Sequence, residues 1–477
     1  MSGLLSSVRW AAVAQASKIA GQLISLAVLS RLLPPADYGV MAMAGVVTAL
    51  AGMLRDMGTG AAIIQRKELT PELTSTVFWM NAALGAGLGL LLCLSSGVLG
   101  SFFHEPQLPG VLIALAISFP LGSLTAVHQA MVERRSGFKT LAILDITNQS
   151  AGLMLAIVAA LAGAGVYSLV VPTLVQTVIS SIWLWRVSGW RPTSRWSATE
   201  FKGIWGFSGN LTAFQFLVYF ARNADSLIIG RMLGAAPLGV YSMAYKLMLF
   251  PVQNMTWVIG RVLLPRLSQM QDDPVRIREL YFKALGAVVT LSAPAMAGLW
   301  ALREPFVVVA FGPRWVEVPD LVAWLAPVGL LQSMTSTVGT VFMAAGRTQT
   351  LFRLGLANTA VLLVAFVVGA KLGLLYVAIA YAIANVITGA QMAWLTGKLL
   401  HATVRDLWTA IRAPLLSGVL MAAGMSLMLA YVAPFGYAAP IECVGIGAAG
   451  AALYGVCMKV IFRQSLRPIL AFIRPKG

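Results

Sequence analysis

Three cations stand inside apolar runs of this 477-residue chain: Lys18, Arg222 and Lys246. An ionised side chain at the middle of a bilayer costs about 2.5–3.5 kcal/mol on insertion scales, so each needs a reason to be there. Polar residues accompany them at spacings of three and four. Gln15, Lys18, Gln22 and Ser25 share one face of the first apolar run, and Ser208, Thr212, Gln215, Tyr219, Arg222 and Ser226 share one face of the seventh. Such a stripe faces protein or water rather than lipid. The chemistry it offers is recognition of an anion. Lysine and arginine donate hydrogen bonds and accept none, and the arginine fork suits phosphate oxygens. Asn210 and Asn223 add amides to the same run.

The acids are fewer. Asp225 lies three residues beyond Arg222 and admits two readings. It pairs with Arg222 or Lys246 and holds helices together, or it couples transport to an ion. Asp56 is a second candidate coupling acid. Asp145, about a turn inside the fifth run, and Glu442, at the outer end of the last, read as interfacial or helix-end residues. Interior cations therefore exceed interior acids, and the surplus implies an anionic ligand.

The surrounding chain sets the context. It is 58% hydrophobic and 11% charged, with a mean hydropathy of +0.82. Soluble domains carry about 25% charged residues, so this is a polytopic membrane protein. The net charge of +17 sits in short loops between apolar runs and reads as topology, not as a nucleic-acid surface. No G-x-x-x-x-G-K-[ST] stretch marks an ATP site, and no nucleophile motif or long outer catalytic loop marks an enzyme. His104, His128 and His401 are scattered, and Cys93, Cys443 and Cys457 form no framework, so no cofactor or metal is expected. The N-terminal stretch reads as the first membrane helix, since Lys18 and two glutamines interrupt its apolar run.

A spanning helix needs about 20 residues. Fourteen runs qualify: 10–30, 38–60, 75–98, 109–130, 141–163, 166–187, 206–230, 237–260, 281–301, 319–345, 351–370, 373–396, 410–432 and 438–461. Run 319–345 is long enough to kink, and Arg55, Asp56, Gly58 and Gly60 mark where the second run ends or breaks. With the N-terminus in the cytoplasm, inner loops and ends carry 26 of the 34 Lys and Arg residues and outer loops carry five. That asymmetry places both termini inside. Gly85-x-x-x-Gly89 is a helix-packing motif, within the chain or between chains.

The chain also repeats itself. "LSRLLPPADYGVMAMA" (29–44) aligns with "IGRMLGAAPLGVYSMA" (229–244) at an offset of 200, matching Arg31 to Arg231 and Gly39-Val40 to Gly239-Val240. "TLAILDITN" (140–148) aligns with "TLFRLGLAN" (350–358) at an offset of 210. Six helices separate the copies, so they run in the same direction, as in two-lobed transporters with parallel repeats. The expected fold is all-α: two six-helix lobes related by this repeat, plus two C-terminal helices. The expected divisions are a first lobe at 1–187, a cytoplasmic interfacial linker at 188–205, a second lobe at 206–397, and two extra helices with a basic tail at 398–477.

Several stretches, among them "LRDMGTGAAIIQRKELT", "ERRSGFKTLAILDI", "ARNADSLIIGRMLGAAPLGVYSMAYKLMLFPV" and "FGPRWVEVPDLVAWLAP", resemble the bacterial polysaccharide transporters. These are the O-antigen and exopolysaccharide flippases of the multidrug/oligosaccharidyl-lipid/polysaccharide exporter superfamily, and the colanic-acid and xanthan branch looks most similar. The resemblance runs from about residue 9 to 400. It implies an inner-membrane protein that moves a polyprenyl-diphosphate-linked oligosaccharide to the periplasmic leaflet by alternating access. The implied partners are that lipid-linked substrate, membrane lipids and the polymerase or export machinery of surface polysaccharide synthesis. The cationic cavity of the family maps here to Lys18, Arg222 and Lys246. Gln15, Gln22, Ser25, Asn210, Gln215, Tyr219 and Asn223 are the expected polar lining. The rival readings are a multidrug cation antiporter of the same superfamily and a membrane polysaccharide ligase or polymerase.

Overall fold

A computed structural model describes residues 2–56, 60, 63–64, 66, 68–194, 196–198, 219–220, 223–270, 273–432 and 439–461. Regular structure among the described residues is all helical, with no strand. They divide into two compact units, Met1–Gly239 and Val240–Gly477.

The first unit holds α1 (Ser2–Leu32), α2 (Pro35–Asp56), α3 (Pro71–Phe103), α4 (Leu108–Ala116), α5 (Ser118–Ser123), α6 (Ala126–Arg134), α7 (Phe138–Leu161) and α8 (Tyr167–Val187). A further helical segment covers 223–233, and α9 (Ala235–Ser268) begins at the end of this unit. The second unit holds the rest of α9, then α10 (Pro274–Ala301), α11 (Arg303–Phe311), α12 (Val318–Thr335), α13 (Val338–Ala344), α14 (Thr348–Leu372), α15 (Leu374–Leu399), α16 (Val404–Val432) and α17 (Ala439–Val456). Among the described residues ten helices are long and apolar enough to span a membrane, or eleven with the bent pair Leu108–Ser123 and Ala126–Arg134 taken as one. These match eleven of the fourteen expected spans. The first and eighth are helices too, α1 and α9, while most of 206–230 lies outside the described residues.

Local chemistry fixes the ends. Pro35, Pro71 and Pro274 open helices at the first position, where a missing N–H costs nothing. The Thr70 side chain accepts from Leu73 N at 3.1 Å, and the Asp273 side chain accepts from Arg276 N at 3.1 Å. Two expected spans are broken. The run 109–130 bends by 45° between α5 and α6, and the run 319–345 stops at Thr335 and resumes at Val338.

The repeat reappears in the backbone. Ser136 and Gly346, 210 residues apart, both take left-handed φ angles, 57° and 68°, just after a broken span. Gly163 and Gly373 share that offset and close equivalent turns at φ 80° and 125°. At the offset of 200, Gly39 packs on the Ala235 carbonyl and Gly239 on the Pro35 carbonyl, so the first turns of α2 and α9 cross reciprocally.

In the first unit α1 lies along α7, α7 along α8, and α3 against α4 and α5. Gly85 and Gly89 serve that last contact: a Cβ on Gly85 would meet Ser123 Oγ, and one on Gly89 the Ala116 carbonyl. The motif therefore works within the chain. Residues 188–194 and 196–198 fold back on the start of α3. Ser75 Oγ and Thr193 Oγ1 stand 2.8 Å apart, Trp79 Nε1 donates to the Thr193 carbonyl at 2.9 Å, and Ser197 N donates to Thr76 Oγ1 at 2.9 Å. In the second unit α10 is the central helix, packed on α16 and α12 around Leu285, Val288 and Ala293.

Candidate functional site

The site begins on α1. Gln15, Lys18 and Gln22 are exposed along one side of the helix, with Ser25 half-buried above them. Val13, Leu23 and Ile24, also exposed, occupy the opposite side. At 3.6 residues per turn the two sets fall on opposed faces. The apolar face suits lipid and the polar face does not.

Beside that polar face stands α7. Lys139 Nζ lies 5.6 Å over the Trp10 ring, and a Cβ added to Gly21 would come 2.5 Å from Gln149 Cγ. Both contacts ascend with the sequence, so α1 and α7 run parallel and in register. Lys18 is one turn before Gly21, and Asp145 is one turn before Gln149, which brings Lys18 level with Asp145. Among the described residues neither makes a direct ion pair. Asp145 is exposed, and it points away from the exposed apolar face of α7 formed by Met154, Val158 and Leu161.

The sequence reads Asp145 as an interfacial or helix-end residue, about a turn inside a run that begins near residue 141. The helix starts at Phe138, which puts Asp145 about two turns inside. The signal that finds it is its companion Gln149, four residues on.

The other expected residues fall elsewhere. Tyr219 Oη donates to the Val46 carbonyl at 2.8 Å, and Asn223 Nδ2 donates to the Tyr219 carbonyl at 2.9 Å, so both are engaged on the segment leading to α9. Asp225 is buried, and its Oδ1 accepts from Ser226 N at 2.7 Å. Arg222, Asn210 and Gln215 lie outside the described residues, and Asp56 is the last residue of α2 with a side chain also outside them. Lys246 is exposed on the part of α9 that belongs to the second unit. Its neighbour Tyr245 stacks on Tyr241 at 5.8 Å and approaches Tyr381 at 6.3 Å. Gln332 Nε2 donates to Tyr381 Oη at 2.6 Å and to Asn385 Oδ1 at 3.3 Å. This network on α12 and α15 escaped the sequence reading. Its signal was two amides, Gln332 and Asn385, each set in an apolar run.

Two parts thus offer anion chemistry: a lysine flanked by amides and a carboxylate on α1 and α7, and a lysine beside a tyrosine–amide network on α9, α12 and α15. A family model described as polysaccharide biosynthesis protein matches residues 28–320. The chain belongs to the polysaccharide biosynthesis protein family. It is 27% identical over 372 residues to the lipopolysaccharide biosynthesis protein WzxC of Escherichia coli, covering 77% of this chain and 75% of that one. It is 24% identical over 472 residues to the succinoglycan biosynthesis transport protein ExoT of Rhizobium meliloti, covering 98% and 95%. That second match takes in α16 and α17, beyond the stretch where the sequence resemblance was specific. Among solved structures, the lipid II flippase MurJ in its inward closed conformation aligns at a TM-score of 0.74 and 13% identity, over 96% of this chain and 100% of that one. This polysaccharide biosynthesis protein therefore has a multi-pass membrane transporter fold.

Proposed function

We propose that the protein is a flippase that carries a polyprenyl-diphosphate-linked oligosaccharide from the cytoplasmic to the periplasmic leaflet for surface polysaccharide synthesis. The observation that carries this is the polar face of α1. Lys18, Gln15 and Gln22 are exposed on the side away from the apolar face, within a chain of the polysaccharide biosynthesis family. A diphosphate with a sugar head cannot cross hydrocarbon unaided, and a cation set among amides is a place for it to rest.

In this reading Lys18, Arg222 and Lys246 take the diphosphate, and Gln15, Gln22, Asn210 and Gln215 take the head group. Residues 1–187 and 206–397 act as lobes that rock about the site, with the termini in the cytoplasm and the protein in the inner membrane. The basic inner loops support that orientation. Asp225 and Asp56 are the acids available for coupling to an ion.

The test is a lipid extract from cells lacking the gene. A complete repeat unit accumulating on polyprenyl diphosphate, with loss of surface polysaccharide, is the expected result. No accumulation, together with new sensitivity to cationic drugs, would replace this reading with the multidrug antiporter.

A further inference from the structure

The polar faces of α1 and α7 contain a residue that the diphosphate does not explain. Asp145 accepts hydrogen bonds and donates none when ionised, and a diphosphate does the same. A carboxylate level with Lys18 weakens the pull of that lysine on a bare anion. It is nevertheless exposed there, on the side of α7 away from the apolar face, with Gln149 one turn above it. It does not neutralise Lys18 by contact, because neither group makes a direct ion pair among the described residues. It does not cap its helix, because it stands two turns inside α7. An acceptor-only group in this position calls for donors on the ligand.

A ligand that suits both residues has an anionic part for Lys18 and, next to it, a part rich in hydroxyl donors. We propose that Asp145 and Gln149 form a sugar subsite, in which Asp145 accepts hydroxyl hydrogen bonds from the sugar adjoining the diphosphate while Lys18 holds the diphosphate. The inference rests on the flippase reading and deepens it. It makes Asp145 the residue that tells a glycosylated carrier from an empty one. The empty carrier, all acceptors, meets a repelling carboxylate, whereas the loaded carrier covers that carboxylate with hydroxyls. Gln22 and Gln149 serve either partner, since an amide both donates and accepts. Gly21 makes the arrangement possible: any side chain there would push Gln149 off α1 and widen the gap between the two faces.

The experiment uses the purified full-length protein in lipid nanodiscs and two probes, farnesyl diphosphate and farnesyl diphosphate bearing one glucose. The wild type is expected to bind the glycosylated probe more tightly. D145N, whose amide accepts without charge assistance and adds N–H donors of its own, is expected to bind the glycosylated probe several-fold more weakly and the bare diphosphate as well as or better than the wild type. D145E, which keeps the acceptor, is expected to recover part of the preference, and K18Q to lose both probes. Retained binding of the bare diphosphate shows that D145N is folded. If D145N changes both probes in the same direction and degree, or neither, the subsite is overturned, and Asp145 is a counter-charge or a bystander. If the wild type binds neither probe, it is the flippase reading itself that fails.

Discussion

Gly39 and Gly239 occupy each other's space. A Cβ on Gly39 would collide with the carbonyl oxygen of Ala235, and one on Gly239 with that of Pro35. The obstacle in both cases is backbone, which no rotamer change can move aside.

Gly39→Ala should therefore lower the melting temperature in detergent and the yield of folded protein, since forcing a methyl into a packed contact costs about 1–3 kcal/mol or more. Gly239→Ala should match it. A Cβ on Gly45, on the same helix as Gly39, would have nothing within 4 Å of it, so Gly45→Ala should raise the melting temperature slightly. Equal melting curves for Gly39→Ala and Gly45→Ala would refute the close crossing.

Lys18→Gln should cut surface polysaccharide export without lowering the protein level. A charge-assisted hydrogen bond contributes about 1.5–3 kcal/mol, so binding of an isoprenyl diphosphate should weaken roughly tenfold to a hundredfold. Arg222→Gln should behave alike if Arg222 touches substrate. If it serves only to pair with Asp225, the loss should appear in the amount of folded protein instead. Undiminished export with Lys18→Ala or Arg222→Ala would remove that residue from the site.

Tyr381→Phe should destabilise the second unit by about 1–3 kcal/mol, because it takes from the half-buried Gln332 amide its 2.6 Å partner. Adding Gln332→Leu should restore part of the loss. A thermal melt of the two single variants and the double variant measures the coupling, and strict additivity would mean that the contact stabilises nothing.

Thr70→Ala should cost about 1 kcal/mol by removing the cap of α3, and Thr70→Ser should cost little. Melting curves of the two variants decide it.

Much of this was legible in the residues. The α1 stripe stood out because Gln15, Lys18, Gln22 and Ser25 recur at helical spacing, and a polar residue among apolar ones is a strong signal in hydrocarbon. The repeat was legible because glycine-marked turns keep their offset. Asp145 stands three residues deeper in its helix than the sequence suggests, because apolar flanks do not fix a helix start. The tyrosine–amide network was legible only as two amides in apolar runs, because its members Gln332, Tyr381 and Asn385 sit on two helices that meet only in the folded second unit. Periodicity describes one helix at a time and says nothing of which helices become neighbours.

The two broken spans have a mechanical consequence. A continuous helix is a stiff strut, and bending it in hydrocarbon exposes backbone groups that nothing there can satisfy. At both breaks a side-chain hydroxyl doubles the backbone hydrogen bond to one carbonyl. Thr125 N donates to the Gly122 carbonyl at 3.1 Å and Thr125 Oγ1 to the same carbonyl at 2.6 Å, while Ser336 N and Ser336 Oγ both reach the Ser333 carbonyl, at 3.4 and 2.7 Å. Each break is thus a joint lubricated by its own side chains. A hydroxyl can follow the carbonyl through a change of angle, so in each half of the duplicated chain one long helix is interrupted without leaving that carbonyl bare.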